Sequence, residues 1–71
     1  MSLAFGKHLR ELRKERTSYN QEQMAKMLNI SRSTYTYYEI GKSEPGNQKL
    51  KALSRILGVD MNELLNYDEQ I

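Results

Sequence analysis

The sequence predicts an all-α protein, and three observations carry that prediction. Apolar residues recur at spacings of three and four in five short segments. Residues that start or stop helices stand between those segments. Nowhere does the chain alternate apolar and polar residues as a half-buried strand would. With 71 residues, there is room for one domain around one small core, which buries only about 60% of the surface that the unfolded chain exposes.

In the first segment Phe5, Leu9 and Leu12 recur at i, i+4 and i+7, which marks one helical face; Lys7, Arg10, Glu11 and Lys14 lie opposite, and Ser2 can cap the start. The stretch "RTSYN" breaks this pattern. Asn20 then precedes "QEQMAKML", and Gln23, three residues later, completes a capping box, while Tyr19 and Met24 are spaced as a hydrophobic staple. Met24, Ala25 and Leu28 face inward with Met27 at their edge, and the methionines are expected as core filler. Asn29, which tolerates the left-handed conformation, ends this helix. A third helix starts at once, capped by Ser31 and running to about Ile40, with Gly41 as its left-handed terminator. After the loop "GKSEPG", Leu50, Leu53 and Leu57 mark a fourth helix, flanked by Ala52 and Ile56 and ended by Gly58. Asp60 and Glu63 repeat the capping-box spacing ahead of Leu64 and Leu65. A single domain over 1–71 is expected, its core at about 3–66 and 67–71 a polar tail.

Several function classes fall away. There is no cysteine, hence neither a disulfide framework nor a thiolate metal site. The one histidine, His8, cannot build a zinc site and is expected as an ordinary surface or boundary side chain. No nucleophile–base pairing and no phosphate-binding glycine loop is visible, so no enzyme, cofactor or small-molecule ligand is expected. No run approaches the ~20 apolar residues of a membrane span, and the N-terminus lacks the apolar stretch of a secretory signal, so the cytoplasm is the expected location. The net charge of +2 is unevenly placed: residues 1–59 hold all 11 basic residues and stand at +6, whereas residues 60–71 carry Asp60, Glu63, Asp68 and Glu69 with no Lys or Arg. A basic body with an acidic end suits a polyanionic partner on one side, and an ordinary solvated surface equally well.

The central stretch "NQEQMAKMLNISRSTYTYYEIG" reads as cap, short helix, tight turn, cap and second short helix. Ala25 is small where two helices must cross, and Ile30 plugs the turn. This is the helix-turn-helix plan, whose second helix enters the major groove of DNA. The three tyrosines of that helix divide. Tyr35 and Tyr38 share the face of Ile30 and are expected in or beside the core, their hydroxyls reaching solvent or a backbone partner. Arg32, Ser33, Thr36 and Tyr37 lie on the other side.

In these pieces the chain resembles the phage repressor/Cro-type helix-turn-helix family, often called the Xre family. The resemblance spans roughly residues 5 to 65 and rests on "LRELRKER", "NQEQMAKMLNIS", "YYEIGKSEP", "LKALSRILGVD" and "NELL" in that order at the right spacing. Two features depart from the family pattern: Asn29 stands where the family usually has glycine, and "RTSYN" is one residue longer than the usual turn and lacks its glycine.

The resemblance implies a compact five-helix bundle of the lambda-repressor-like DNA-binding domain type, with helices two and three as the DNA-binding unit. It implies base readout by Arg32, Ser33, Thr36 and Tyr37. Arg32 has the fork for guanine O6 and N7, while Thr36 and Tyr37 suit a thymine methyl or a phosphate. It implies phosphate contacts from Gln21, at a helix start with free N–H groups, and from Lys42, Ser43 and Asn47 in and after the loop. Glu39 lies at a helix C-terminus, where the dipole disfavours an acid; the resemblance supplies Arg13 as its ion-pair partner. Lys7, Arg10, Lys14 and Arg16 are expected as solvated surface.

The function so implied is a sequence-specific double-stranded DNA-binding transcriptional regulator, a repressor on a palindromic operator. A homodimer is expected, because one recognition helix reads too few base pairs for useful discrimination. Its interface is expected at the C-terminal end, at Met61, Leu65, Tyr67 and Ile71, with Ile56 joining. The alternative is a protein-interaction module or antitoxin on the same fold, with DNA binding secondary or lost.

Overall fold

The computed structural model describes residues 3–67. Its helices are α1 (Leu3–Arg16), α2 (Gln21–Leu28), α3 (Arg32–Glu39), α4 (Asn47–Leu57) and α5 (Met61–Leu65), and no strand occurs among the described residues. The expected Ser2 cap lies outside them.

The boundaries follow local chemistry. At α2 the capping box is complete: Asn20 Oδ1 accepts from Gln23 N at 2.8 Å, and Gln23 Oε1 accepts from Asn20 N at 2.9 Å. At α5 only half of the expected box forms. Asp60 Oδ1 accepts from Glu63 N at 2.8 Å, but the Glu63 carboxylate turns to Arg16, 2.5 Å away. Arg16 is therefore paired across the fold rather than simply solvated. The glycine-free turn after α1 is closed by Thr17, whose hydroxyl donates to Arg13 O at 2.7 Å and accepts from Tyr19 N at 3.0 Å. Asn29 adopts the left-handed conformation, φ 59° and ψ 45°, and the N–H of Ile30 returns to Ala25 O at 3.0 Å. Lys49 of α4 donates to Leu28 O at 2.9 Å and so satisfies a carbonyl at the same helix end.

Every helix contributes to the core. Phe5, Leu9, Met24, Tyr35, Leu53 and Leu64 are the largest fully buried side chains, and Ile30 packs against them from the turn. α3 packs on both α1 and α2, α4 on α2 and α1, and α5 on α4 and α1. The buried strip of α2 is Met24, Ala25 and Leu28, as the periodicity predicts; Met27, expected at its edge, is 48% exposed, because the strip is only three residues wide.

Tyr67, expected as the start of a polar tail, and α5 before it are tied to α1. Tyr67 is half-buried with its ring edge-on to Phe5, 5.7 Å between centroids. His8 Nε2 donates to Glu63 O at 2.9 Å. Together with Arg16–Glu63, these contacts dock α5 on the first helix, which the short α5 needs because five residues bury little apolar surface.

Candidate nucleic-acid interface

The orientation of α3 is set by two tyrosines. Tyr35 is fully buried and Tyr38 is 6% exposed, their rings edge-on at 6.2 Å. Anchoring these two turns Arg32, Ser33 and Tyr37 out to solvent and leaves Thr36 half-buried beside them. With Gln21 of α2 they line one open groove. Beyond the helix end, Lys42 Nζ lies 5.2 Å from the centroid of the Tyr37 ring, a cation–π arrangement. The N–H groups of Lys42 and Ser43 both reach back to Tyr37 O, at 2.9 and 3.3 Å. Asn47 is the exposed first residue of α4. The structure thus brings Gln21, Arg32, Ser33, Thr36 and Tyr37 into one groove, with Lys42 and Ser43 joined to Tyr37 at its edge.

Behind this surface lies a buried polar network centred on Glu39. Arg13 Nε donates to Glu39 Oε2 at 2.7 Å and Arg13 Nη2 to Oε1 at 3.3 Å. Tyr35 O–H donates to Oε2 at 2.5 Å, and Gln21 Nε2 to Oε1 at 3.0 Å. Gln21 Oε1 accepts from Thr36 Oγ1 at 3.0 Å, and Arg13 Nη1 donates to Tyr19 O at 3.1 Å. Burial pushes the Glu39 carboxyl up, but hydrogen bonds from Arg13, Tyr35 and Gln21 outweigh it and hold the group below its ordinary range. The Glu39 hydrogen bond holds the Arg13 guanidinium above its ordinary value, and burial beside the same carboxylate pushes the Tyr35 phenol up. The acid that the helix dipole disfavours is therefore stabilised by four donors.

The Arg13–Glu39 pair is present as expected. The hydroxyl of Tyr35 departs from the expectation: it meets the Glu39 carboxylate rather than solvent or a backbone group. Spacing alone makes that contact possible, since positions 35 and 39 are one helical turn apart. Gln21 and Thr36 each have a second engagement that sequence reading missed, because it links residues 15 apart across the turn. At the other end of the molecule Ile56, Met61 and Tyr67 are half-buried against the chain's own core, and Leu65 is 41% exposed. Ile71 lies outside the described residues.

Residues 9–64 match the model of the family described as Helix-turn-helix. The chain is 46% identical over 61 residues to the SPbeta prophage-derived uncharacterized HTH-type transcriptional regulator YonR of Bacillus subtilis (strain 168), a match covering 86% of this chain and 56% of that protein. It is 33% identical over 66 residues to the control protein C.MunI of a Mycoplasma species, covering 93% of this chain and 89% of that protein. Among solved structures, the P22 c2 repressor in complex with a synthetic operator superposes with a TM-score of 0.78 at 30% identity, covering 90% of this chain and 96% of that one. The chain spans about half the length of YonR and most of C.MunI. Motifs, architecture and relatives agree, and the chain belongs to the phage repressor/Cro-type helix-turn-helix family.

Proposed function

We propose that the chain is a sequence-specific double-stranded DNA-binding transcriptional regulator, a repressor that works in the cytoplasm by occupying an operator and performs no chemistry. One observation carries this reading: burying Tyr35 and Tyr38 leaves Arg32, Ser33 and Tyr37 exposed together on one face of α3. That face is the one a helix-turn-helix protein lays in the major groove. Arg32 supplies a bidentate donor for guanine, with Ser33, Thr36 and Tyr37 beside it. Lys42, Ser43 and Asn47 fix the position on phosphates. Gln21 joins them through its backbone N–H at the start of α2, its side chain being engaged by Glu39 and Thr36. YonR, named as an HTH-type transcriptional regulator, and the P22 c2 repressor in complex with a synthetic operator support the same reading.

Two copies are expected on one palindromic site, meeting through the acidic C-terminal face around Met61 and Leu65, with half-sites about 34 Å apart. Titration of a short duplex at stepped salt concentrations tests the function. A regulator of this kind shows log K falling linearly with log salt, and a preferred duplex bound well above a scrambled one. Sedimentation of the complex reads the copy number, two per site. No duplex binding at low salt would favour the protein-interaction alternative.

A further inference from the structure

The proton arrangement behind α3 assigns a chemical preference to one side chain in the groove. Glu39 is buried and takes four donors on its two oxygens: Arg13 Nε and Tyr35 O–H on Oε2, Gln21 Nε2 and Arg13 Nη2 on Oε1. An ionised carboxylate only accepts, and about four lone-pair sites are all it has. Gln21 must therefore turn its NH₂ group toward Glu39, which leaves its amide oxygen facing Thr36 Oγ1 at 3.0 Å. That oxygen has no proton to give. The single hydroxyl proton of Thr36 is committed to Gln21, and the hydroxyl has only lone pairs left for a further partner.

Thr36 is half-buried, with Arg32, Ser33 and Tyr37 around it in the same groove. A free surface threonine rotates its hydroxyl to suit either a donor or an acceptor. This one cannot do so without leaving the Gln21 oxygen unpaired and set against an oxygen lone pair. In the major groove the donors are the exocyclic amino groups, cytosine N4 and adenine N6, whereas guanine O6 and N7 and thymine O4 are acceptors. We infer that Thr36 is a specificity-determining residue that accepts a hydrogen bond from a base amino group, and that Gln21 is the positioning residue that fixes this polarity. The inference rests on the DNA-reading role proposed above and goes further, because it names the class of base edge that the Thr36 hydroxyl meets.

The experiment measures ratios of affinity between duplexes, so that a change in folded fraction cancels. Duplexes selected by the full chain are varied one base pair at a time, for the wild type, Thr36→Val, Thr36→Ser and Gln21→Met. The wild type is expected to prefer cytosine or adenine over thymine and guanine at one position per half-site. Thr36→Val, which keeps the shape and loses the acceptor, should reduce that preference by about three- to tenfold, the range of one neutral hydrogen bond. Thr36→Ser should keep it. At that position an analogue lacking the amino group (2-pyrimidinone for cytosine, purine for adenine) should weaken the wild type by a similar factor and leave Thr36→Val unmoved. Gln21→Met frees the hydroxyl proton, so acceptor bases should become tolerated there; a purely structural glutamine would not change the ratio. Sequence-specific binding with an unchanged ratio in Thr36→Val, or a preference for thymine that survives it, overturns this inference alone. Absence of any sequence preference in the wild type overturns the DNA-reading role as well.

Discussion

Gly6 of α1 lies directly against the last turn of α3, at the backbone of Glu39. A Cβ built on Gly6 would stand 2.6 Å from Tyr38 O and closer still to Glu39 O. The helices can approach this closely only because position 6 has no side chain. In a solvent-exposed helix interior, glycine-to-alanine is worth about 1 kcal/mol of added stability. Here the opposing atoms are backbone and cannot swing aside. Gly6→Ala should therefore destabilise by about 1–3 kcal/mol net, at or above the cost of an overpacked core, and thermal melts should show a lower Tm. An unchanged or raised Tm would mean that α1 does not sit this close to α3.

The same junction holds the Arg13–Glu39 pair, buried on both sides. Alanine at either position should cost about 3–5 kcal/mol, because the partner is left charged and buried. The double variant should cost less than the sum, and a melting cycle reads the difference. Acid adds a second signature. The carboxyl of Glu39 lies below its ordinary range when folded, so the stability it contributes is complete above its unfolded value and is lost as pH falls through the folded one. Glu39→Gln should lower Tm at neutral pH and flatten the acid limb below the ordinary carboxyl range. Equal acid slopes in both proteins would place the lost stability elsewhere.

Much of this was legible in the sequence, because much of it is local. Caps and periodicity act within four residues, so Asn20, Ser31, Asn29, Gly58 and the two faces of α3 could be read directly. What stayed hidden joins residues far apart in sequence. Gly6 reads as an unremarkable helical residue until the end of α3 is laid on it. Lys49 at Leu28 O, Arg16 at Glu63 and Gln21 at Thr36 have no local signature. Glu63 matched the capping-box spacing, yet its carboxylate went to an arginine 47 positions away. Tyr67 looked like part of a polar tail because its neighbours are polar, while its own ring found Phe5. The Arg13–Glu39 pair was also non-local, and only the family resemblance made it visible beforehand.

The tyrosines of α3 should separate cleanly by role. Tyr35→Ala should cost about 3–5 kcal/mol, enough to unfold a domain of this size, and Tyr38→Ala nearly as much. Tyr35→Phe removes only the donor to Glu39 and should cost about 1–3 kcal/mol. Tyr37→Ala, at a 41% exposed position, should leave Tm nearly unchanged. Denaturant melts of the four variants test the phasing; a dispensable Tyr35 would mean that α3 is rotated.

Lys42 is expected to act on every DNA sequence alike. Lys42→Ala should weaken binding uniformly and reduce the salt slope by about one. Since its ammonium lies over the Tyr37 ring, Tyr37→Ala should change the same salt slope slightly, whereas Arg32→Ala should not. Competition binding across a salt series, with matched and scrambled duplexes, distinguishes these outcomes.

The proposed role of the outward face of α3 is to read DNA sequence. The most direct measurement is selection of bound duplexes from a random pool by the wild-type chain and by Arg32→Ala, with their thermal melts in parallel. The wild type should enrich a pseudo-palindrome with half-sites about one helical turn apart. Arg32→Ala should melt at nearly the same temperature, bind about 1–3 kcal/mol more weakly, and lose its preference at one base pair, a guanine, in each half-site. Enrichment of the same sequence with undiminished guanine preference by a folded Arg32→Ala, or no enriched sequence from the wild type at all, would contradict this role of α3.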